Sequence, residues 1–118
     1  MHVNHLKMNS KVIIVLDEIV NKLGLIYGEN LKKIILFGSY AREEQDPGSD
    51  MDLMVLVDME EQEIKKQRNQ VLDLTVDLTT RYGIVLSIIE NNHDFFYEWV
   101  GYLPFFRNVA NEGIEIYG

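Results

Sequence analysis

The segment that most constrains the fold is residues 34–58, in which two apolar runs are joined by a short polar stretch. The first run ends at Gly38 and Ser39, and Asp50 and Asp52 stand at the start of the second. Short apolar runs bounded by turn residues are typical of buried strands. The segment therefore predicts these elements in order: a strand over about 31–37, a short helix over 39–44, a turn at 46–49 and a strand over about 51–57.

Asp50 and Asp52 are separated by a single residue at the start of the second predicted strand. In an extended chain, residues i and i+2 point to the same side, and the backbone rises about 3.3 Å per residue. The two carboxylates can therefore converge on one divalent ion or flank two. Hard oxygen ligands of this kind suit Mg²⁺, which prefers one or two carboxylates together with substrate phosphates.

The Gly38-Ser39 pair predicts a phosphate-binding turn. Glycine has no Cβ and lets the backbone approach a ligand closely, while Ser39 can cap a following helix and present a hydroxyl to a phosphate. A helix N-terminus beside a metal site would hold a triphosphate. Alone, a Gly-Ser turn or a pair of solvated aspartates is commonplace. Their fixed order, with ten residues between Ser39 and Asp50, favours a nucleotide site.

The pattern Gly38-Ser39, ten residues, Asp50-x-Asp52 resembles the signature of the DNA polymerase β-like nucleotidyltransferase superfamily. The fuller strings, residues 37–42 and 49–53, are similar to those of the minimal nucleotidyltransferases, or MNT proteins, of bacteria and archaea. A weaker resemblance extends to the C-terminal residues 105–117. The resemblance to the superfamily implies a single α/β domain over residues 1–118, with a small mixed sheet flanked by helices.

The resemblance also implies a function. Superfamily members move a nucleoside monophosphate, here expected to be AMP from ATP, onto a hydroxyl with the help of Mg²⁺. The implied roles are phosphate binding by Gly38 and Ser39, metal binding by Asp50 and Asp52, and support from Arg42 and Ser49. MNT proteins are typically antitoxins that neutralise a HEPN-domain ribonuclease toxin by binding it, by AMPylating a tyrosine, or by both.

A third catalytic carboxylate is missing from the expected place. The superfamily commonly carries it on a later strand, which matches the β-branched run at residues 84–89 here, and Ser87 occupies the matching position. Glu90 is three residues further on, and odd separations along a strand point to opposite faces, so it fits only if the strand twists or ends there. Without this acid, general-base help worth about 10²–10⁴-fold in rate is at risk.

Two further functions therefore stay open beside the enzyme. A catalytically weakened domain would neutralise a partner toxin by binding alone, and an ordinary nucleotide-binding domain would have no such partner. Arg42 is also open to two interpretations, because its cation can meet a phosphate or pair locally with Glu43, Glu44 or Asp46.

The remaining elements are predicted from the spacing of apolar residues and from residues that cap or end helices. Apolar residues at helical spacing predict a helix from an N-cap at Ser10 to a stop at Gly24, and another over about 60–82 that Gly83 closes. Asp73 and Asp77 are expected to be solvated on that second helix. The histidines at positions 2, 5 and 93 are expected to be solvated, and Asp94 to cap a short aromatic helix. The aromatic residues over 95–106 are expected either to pack in the core or to bind a partner. Pro104 is expected to open a further helix, and the tail at 114–117 to form a strand or a docking arm.

Composition limits the partners. With 19 acidic against 11 Lys and Arg residues, the net charge is −8, which leaves little for a basic nucleic-acid-binding face. No cysteine is present, the apolar runs are too short for a membrane span, and no signal-peptide pattern opens the sequence, so the expected location is cytoplasmic. The identity of the nucleotide and acceptor, and any homo-oligomer, stay open.

Overall fold

The computed structural model describes residues 9–118, so the expectation for His2 and His5 lies outside the described part of the chain. Within the described residues four strands and four helices follow one another, with a 3₁₀ turn at Gly28–Asn30. They are α1 (Ser10–Tyr27), β1 (Leu31–Phe37), β2 (Met51–Val57), α2 (Glu61–Tyr82), β3 (Leu86–Asn92), α3 (His93–Trp99), α4 (Pro104–Glu112) and β4 (Ile114–Tyr117).

The strands form one mixed sheet in the order β3-β2-β1-β4. β1 pairs antiparallel with both β2 and β4, whereas β2 and β3 are parallel. A parallel pair needs a crossover connection, which α2 provides. The C-terminal tail is therefore a strand on β1 rather than a docking arm, and the predicted small mixed sheet flanked by helices is confirmed.

The two faces of β2 enter two different cores. Met51, Leu53, Val55 and Val57 pack with α1 and α2, while Met54 and Leu56 pack with Phe96, Phe106 and Val109 of α3 and α4. Alternation along a strand produces this division, because successive side chains point to opposite faces. Asp52 shares the second face with Met54, which places the acidic start of β2 on the side that α3 and α4 cover further along.

The predicted boundaries of α1 are wrong at both ends. The N-cap is Asn9, whose side-chain oxygen accepts hydrogen bonds from the N–H groups of Lys11 at 2.8 Å and Val12 at 3.4 Å. Gly24 does not end the helix, which continues to Tyr27. A helical glycine costs only about 1 kcal/mol relative to alanine, and burial of Tyr27 in the core offsets that cost.

The predicted helix over residues 39–44 is a single turn, because Glu43 adopts a φ of 57° and interrupts it. β3 begins at Leu86, opposite Met51 at the start of β2, and continues past its predicted end to Asn92. The Asn92 side chain, rather than Asp94, caps α3 by accepting the N–H of Phe95 at 2.9 Å. The predicted close of α2 at Gly83 is confirmed by its left-handed φ of 70°.

The aromatic residues over 95–106 divide between core and surface. Phe96 and Phe106 are buried in the second core. The exposed ones are Phe95, Tyr97, Trp99, Tyr102 and Phe105. Core packing is thus confirmed for the first group, and a partner-binding role for the second stays a prediction.

Candidate active site

Asp52 lies at the centre of a row of three neighbouring residues on adjacent strands. It is the cross-strand partner of Phe37 on β1 and of Ser87 on β3. Cross-strand partners project from the same face of a sheet, with Cβ atoms about 5 Å apart. The sheet register therefore brings the ends of three strands together at one position.

Gly38 holds the backbone directly against the Asp52 carboxylate. Its φ of 75° lies in the left-handed region that favours glycine. A Cβ on Gly38 would lie 3.3 Å from Asp52 Cγ and would overlap Asp52 Oδ2. Both the conformation and the close approach therefore require glycine at this position, and the Gly38-Ser39 bend and the acidic start of β2 form one site.

The turn after Gly38 is held by main-chain bonds and by one buried ring. The Gly38 carbonyl accepts the N–H groups of Ala41 at 3.1 Å and Arg42 at 3.2 Å, and the Ser39 carbonyl accepts Glu44 N–H at 2.9 Å. Tyr40 inserts into the first core and is 7% exposed. The Gly-Ser bend is thereby fixed relative to β2.

Asp50 and Asp52 are close enough to influence each other. The pKa of Asp52 is raised by burial of its carboxylate and by the charge of Asp50, and the Arg42 guanidinium opposes this rise. A divalent cation between the carboxylates would offset both effects that raise this pKa. Within residues 9–118 no group of three acidic or histidine side chains could hold a metal. Two carboxylates nevertheless fit Mg²⁺, which takes its remaining ligands from substrate phosphates and water.

Arg42 pairs with Glu44 and, across the fold, with Glu112. Its Nε donates to Glu44 Oε1 at 2.6 Å and its Nη1 to Glu112 Oε2 at 3.2 Å, so of the local partners considered only Glu44 is engaged. These bonds hold the guanidinium between the turn and the end of α4, where its charge still reaches Asp52. No pattern along the sequence identifies Glu112 as a partner of Arg42.

Ser49 is used within the loop that precedes β2. Its hydroxyl accepts the N–H of Asp46 at 3.0 Å and lies 3.4 Å from Asp46 Oδ1. Asp46 Oδ1 also accepts the N–H of Gly48 at 2.8 Å. Ser49 therefore closes the predicted turn at residues 46–49 and sets the approach of Asp50 to the site.

The structure separates Ser87 from Glu90. Ser87 lies beside Asp52, on the same face of the sheet. Glu90 pairs with Val55, whose face packs on α1 and α2, because β3 continues to Asn92 without ending or bulging. The Glu90 side chain is 6% exposed and lies 3.7 Å from Arg68, and burial raises its pKa. Glu90 is thus placed away from Asp52.

Phe37 and Phe105 lie beside the site but were not among the predicted site residues. Phe37 ends β1 beside Asp52, and Phe105 of α4 packs against it with ring centroids 5.7 Å apart. The position of Phe37 directly before Gly38 was a usable signal. The contribution of Phe105 depends on the tertiary packing of α4, which has no local signature.

The structure holds the glycine-serine turn against the acidic start of a central strand, which is the arrangement that the sequence predicted for a nucleotide site. The chain belongs to the family described as "Nucleotidyltransferase domain", whose model matches residues 16–96. It is therefore a nucleotidyltransferase. The resemblance to the polymerase β-like superfamily is confirmed.

Comparison with known proteins agrees with this family assignment. The chain is 35% identical over 102 residues to "Putative protein adenylyltransferase MJ0604" of Methanocaldococcus jannaschii, covering 86% of this chain and 94% of that protein. A second relative from the same organism, "Putative protein adenylyltransferase MJ0141", is 28% identical over 90% of this chain and 99% of its own length.

Solved structures share the fold at low sequence identity. A mutant toxin-antitoxin MntA-HpeT aligns with a TM-score of 0.56 at 18% identity, over 87% of this chain and 73% of that one. The MNT antitoxin complex with the tri-AMPylated Shewanella oneidensis HEPN toxin aligns with a TM-score of 0.52 at 17% identity, over 89% and 71%. The predicted fold class is therefore confirmed.

Within residues 9–118, no helix combines the length and apolar character needed to cross a bilayer.

Proposed function

We propose that this nucleotidyltransferase moves AMP from ATP onto a hydroxyl of a HEPN-domain partner protein and thereby acts as an MNT antitoxin. Residues 1–118 form the nucleotidyltransferase domain in this proposal. The observation that carries it is the contact between the Asp52 carboxylate and the backbone of Gly38, which joins the metal ligands to the phosphate-binding bend.

Each site residue then has a role. Gly38 and Ser39 hold the triphosphate, Asp50 and Asp52 bind Mg²⁺, Arg42 supplies positive charge near the phosphates, and Ser49 fixes the loop that carries Asp50. When bound, Mg²⁺ stabilises the negative charge that develops during an in-line displacement. In that displacement the acceptor hydroxyl loses its proton to water and its oxygen forms a bond to the α-phosphorus. The bond between the α-phosphorus and the oxygen that bridges it to the β-phosphate breaks, and pyrophosphate leaves.

The choice of a protein acceptor rests on the relatives and on charge. Two relatives bear the name of protein adenylyltransferases, and a structural neighbour contains an AMPylated HEPN toxin with its MNT antitoxin. The net charge of −8 makes a polynucleotide acceptor unfavourable, because phosphate backbones require a basic surface. The cytoplasm, where ATP and Mg²⁺ are abundant, is the proposed location.

The test uses the purified chain, ATP labelled at the α-phosphate, Mg²⁺ and the product of any neighbouring HEPN gene. We expect label on the HEPN protein, located to a hydroxyl side chain by mass spectrometry. Asp52→Asn, which keeps the size of the side chain and removes its charge, should abolish transfer. Absence of label with the unaltered chain, despite a stable complex, would refute the enzyme proposal.

A second function is favoured by one specific observation. Ser87 stands next to Asp52 where the superfamily commonly carries a third carboxylate, so no acid is available there to deprotonate the attacking hydroxyl. The chain would then neutralise its partner by binding alone. In that case the HEPN ribonuclease would be inhibited equally by the unaltered chain and by Asp52→Asn, with and without ATP.

A further inference from the structure

Phe105 is a half-exposed aromatic ring beside the candidate active site. It stands in the first turn of α4, and 45% of its surface is exposed, whereas the adjacent Phe106 is buried in the second core. The stability of α4 therefore rests on Phe106 and Val109, and Phe105 is left at the surface.

The Phe105 ring contacts the end of β1 through Phe37. It meets Phe37 with an interplanar angle of 76° and a centroid separation of 5.7 Å. Phe37 in turn is the cross-strand partner of Asp52. Phe105 also contacts the Phe106 ring, with centroids 6.2 Å apart and an interplanar angle of 48°. With both neighbours in place 45% of the Phe105 surface is still exposed, so ring surface stays available for stacking.

We propose that Phe105, supported by Phe37, is the platform on which the purine base of the nucleotide stacks. This inference rests on the proposed function, because it takes the triphosphate to lie at Gly38 and Asp52. The order Asp52, Phe37, Phe105 across the surface then matches the order of phosphate, ribose and base along a nucleotide. It assigns to α4, which carries none of the aspartates, a part in substrate binding.

Other exposed rings of the region are less suited to this role. Tyr102 is 74% exposed, and its ring packs against Trp99 with centroids 5.9 Å apart. Trp99 in turn packs against Phe95 at 6.3 Å. Phe95 packs against the buried Phe106 at 6.0 Å. The ring contacts of Tyr102 thus lead to α3, whereas Phe105 contacts Phe37 directly, and Tyr102 therefore serves as a surface control for Phe105.

Stacking of a base on an aromatic side chain is strong enough to measure. Removal of such a ring typically weakens binding by about tenfold or more per base. Because the interaction uses the π-face, it depends on the size of the base more than on its hydrogen-bonding groups. ATP and GTP should therefore bind more tightly than CTP and UTP.

The test compares two ligands that differ in the base. With Mg²⁺ present, calorimetric titration of the full chain with the non-hydrolysable analogue AMP-PNP and with inorganic tripolyphosphate separates base binding from phosphate binding. Phe105→Leu, which keeps an apolar contact with Phe37, should weaken AMP-PNP binding about tenfold and leave tripolyphosphate binding unchanged. Phe105→Trp should retain AMP-PNP binding, and Tyr102→Leu should alter neither ligand.

The outcomes separate this inference from the proposed function. Equal AMP-PNP affinity of Phe105→Leu and the unaltered chain would overturn the stacking platform and leave the proposed function standing. An equal loss of AMP-PNP and tripolyphosphate binding in Phe105→Leu would also overturn it, because the ring would then support the phosphate site. Failure of the unaltered chain to bind either ligand would overturn the nucleotide site itself.

Discussion

Ser87 and Asp52 are direct partners in the parallel ladder between β3 and β2. Parallel partners project from the same face of a sheet, so a carboxylate at position 87 would stand beside that of Asp52. The backbone geometry for a third acidic residue is therefore present, and the side chain that uses it is missing. One substitution at position 87 is therefore expected to supply this carboxylate.

We expect Ser87→Asp to increase the rate of AMP transfer. A positioned general base is worth about 10²–10⁴-fold, so a gain of at least about tenfold is expected even when its alignment is imperfect. The measurement is the initial rate of label transfer from ATP to the HEPN partner. Ser87→Asn is the control, because asparagine has nearly the same shape as aspartate but no charge, and it should give no gain in rate. A rate that rises equally in both variants would contradict a base at this position.

Gly38 provides a second test, because another glycine shares its backbone conformation without its neighbour. Gly38 and Gly83 have φ values of 75° and 70°, but a Cβ would meet Asp52 only at Gly38 and no atom within 4 Å at Gly83. Gly38→Ala and Gly83→Ala should each lower the free energy of unfolding by about 1–2 kcal/mol. Only Gly38→Ala should also reduce AMP transfer, by about 100-fold, since the carboxylate is displaced.

Chemical denaturation and the transfer assay measure these two effects independently. Similar activity of the two alanine variants would show that the contact between Gly38 and Asp52 has no role in catalysis. A loss of activity in Gly83→Ala would point instead to a general effect of lowered stability.

Much of this arrangement was predictable from local sequence. β1 and β2 have their predicted bounds, because each apolar run is ended by residues that favour turns, and the alternation in β2 fixed the face on which Asp52 lies. The end of α1 was not predictable in this way. Gly24 is a strong local stop signal, and only the tertiary burial of Tyr27 overrides it.

The neighbours of the site residues were less accessible to sequence reasoning. The bond between Arg42 and Glu112 joins positions 70 residues apart, and it depends on how α4 docks on the sheet. The location of Glu90 illustrates the same limit. Its separation of three residues from Ser87 indicated that Glu90 points to the opposite face of the sheet, unless the strand twists or ends there. The continuation of β3 to Asn92 shows that Glu90 does lie on that opposite face.

Arg42 gives a prediction about charge near the phosphates. We expect Arg42→Ala to weaken ATP binding by about tenfold, because a charge-assisted contact to phosphate is lost. Glu112→Gln removes the negative charge of one partner and leaves the charge of the Arg42 guanidinium, so it should not weaken ATP binding. Titration of each variant with AMP-PNP and Mg²⁺ checks both. Unchanged affinity in Arg42→Ala would assign the residue a purely structural role between the turn and α4.

Glu90 yields a prediction about pH. Burial raises the pKa of its carboxyl in the folded chain, with Arg68 opposing the rise. In the unfolded chain this carboxyl ionises in its ordinary range, whereas the folded chain keeps the proton to higher pH. The free energy of unfolding therefore contains a favourable contribution that is complete below the ordinary pKa and is lost as pH rises through the folded-state pKa.

Glu90→Gln removes this dependence, because an amide stays neutral at every pH. The variant should be more stable than the unaltered chain at pH 7, and the difference should shrink as pH falls toward 4, as measured by urea unfolding across that range. AMP transfer should stay within about twofold, since Glu90 faces α2 and lies away from Asp52. A large loss of transfer in Glu90→Gln, with stability raised at pH 7, would instead identify Glu90 as the missing catalytic acid.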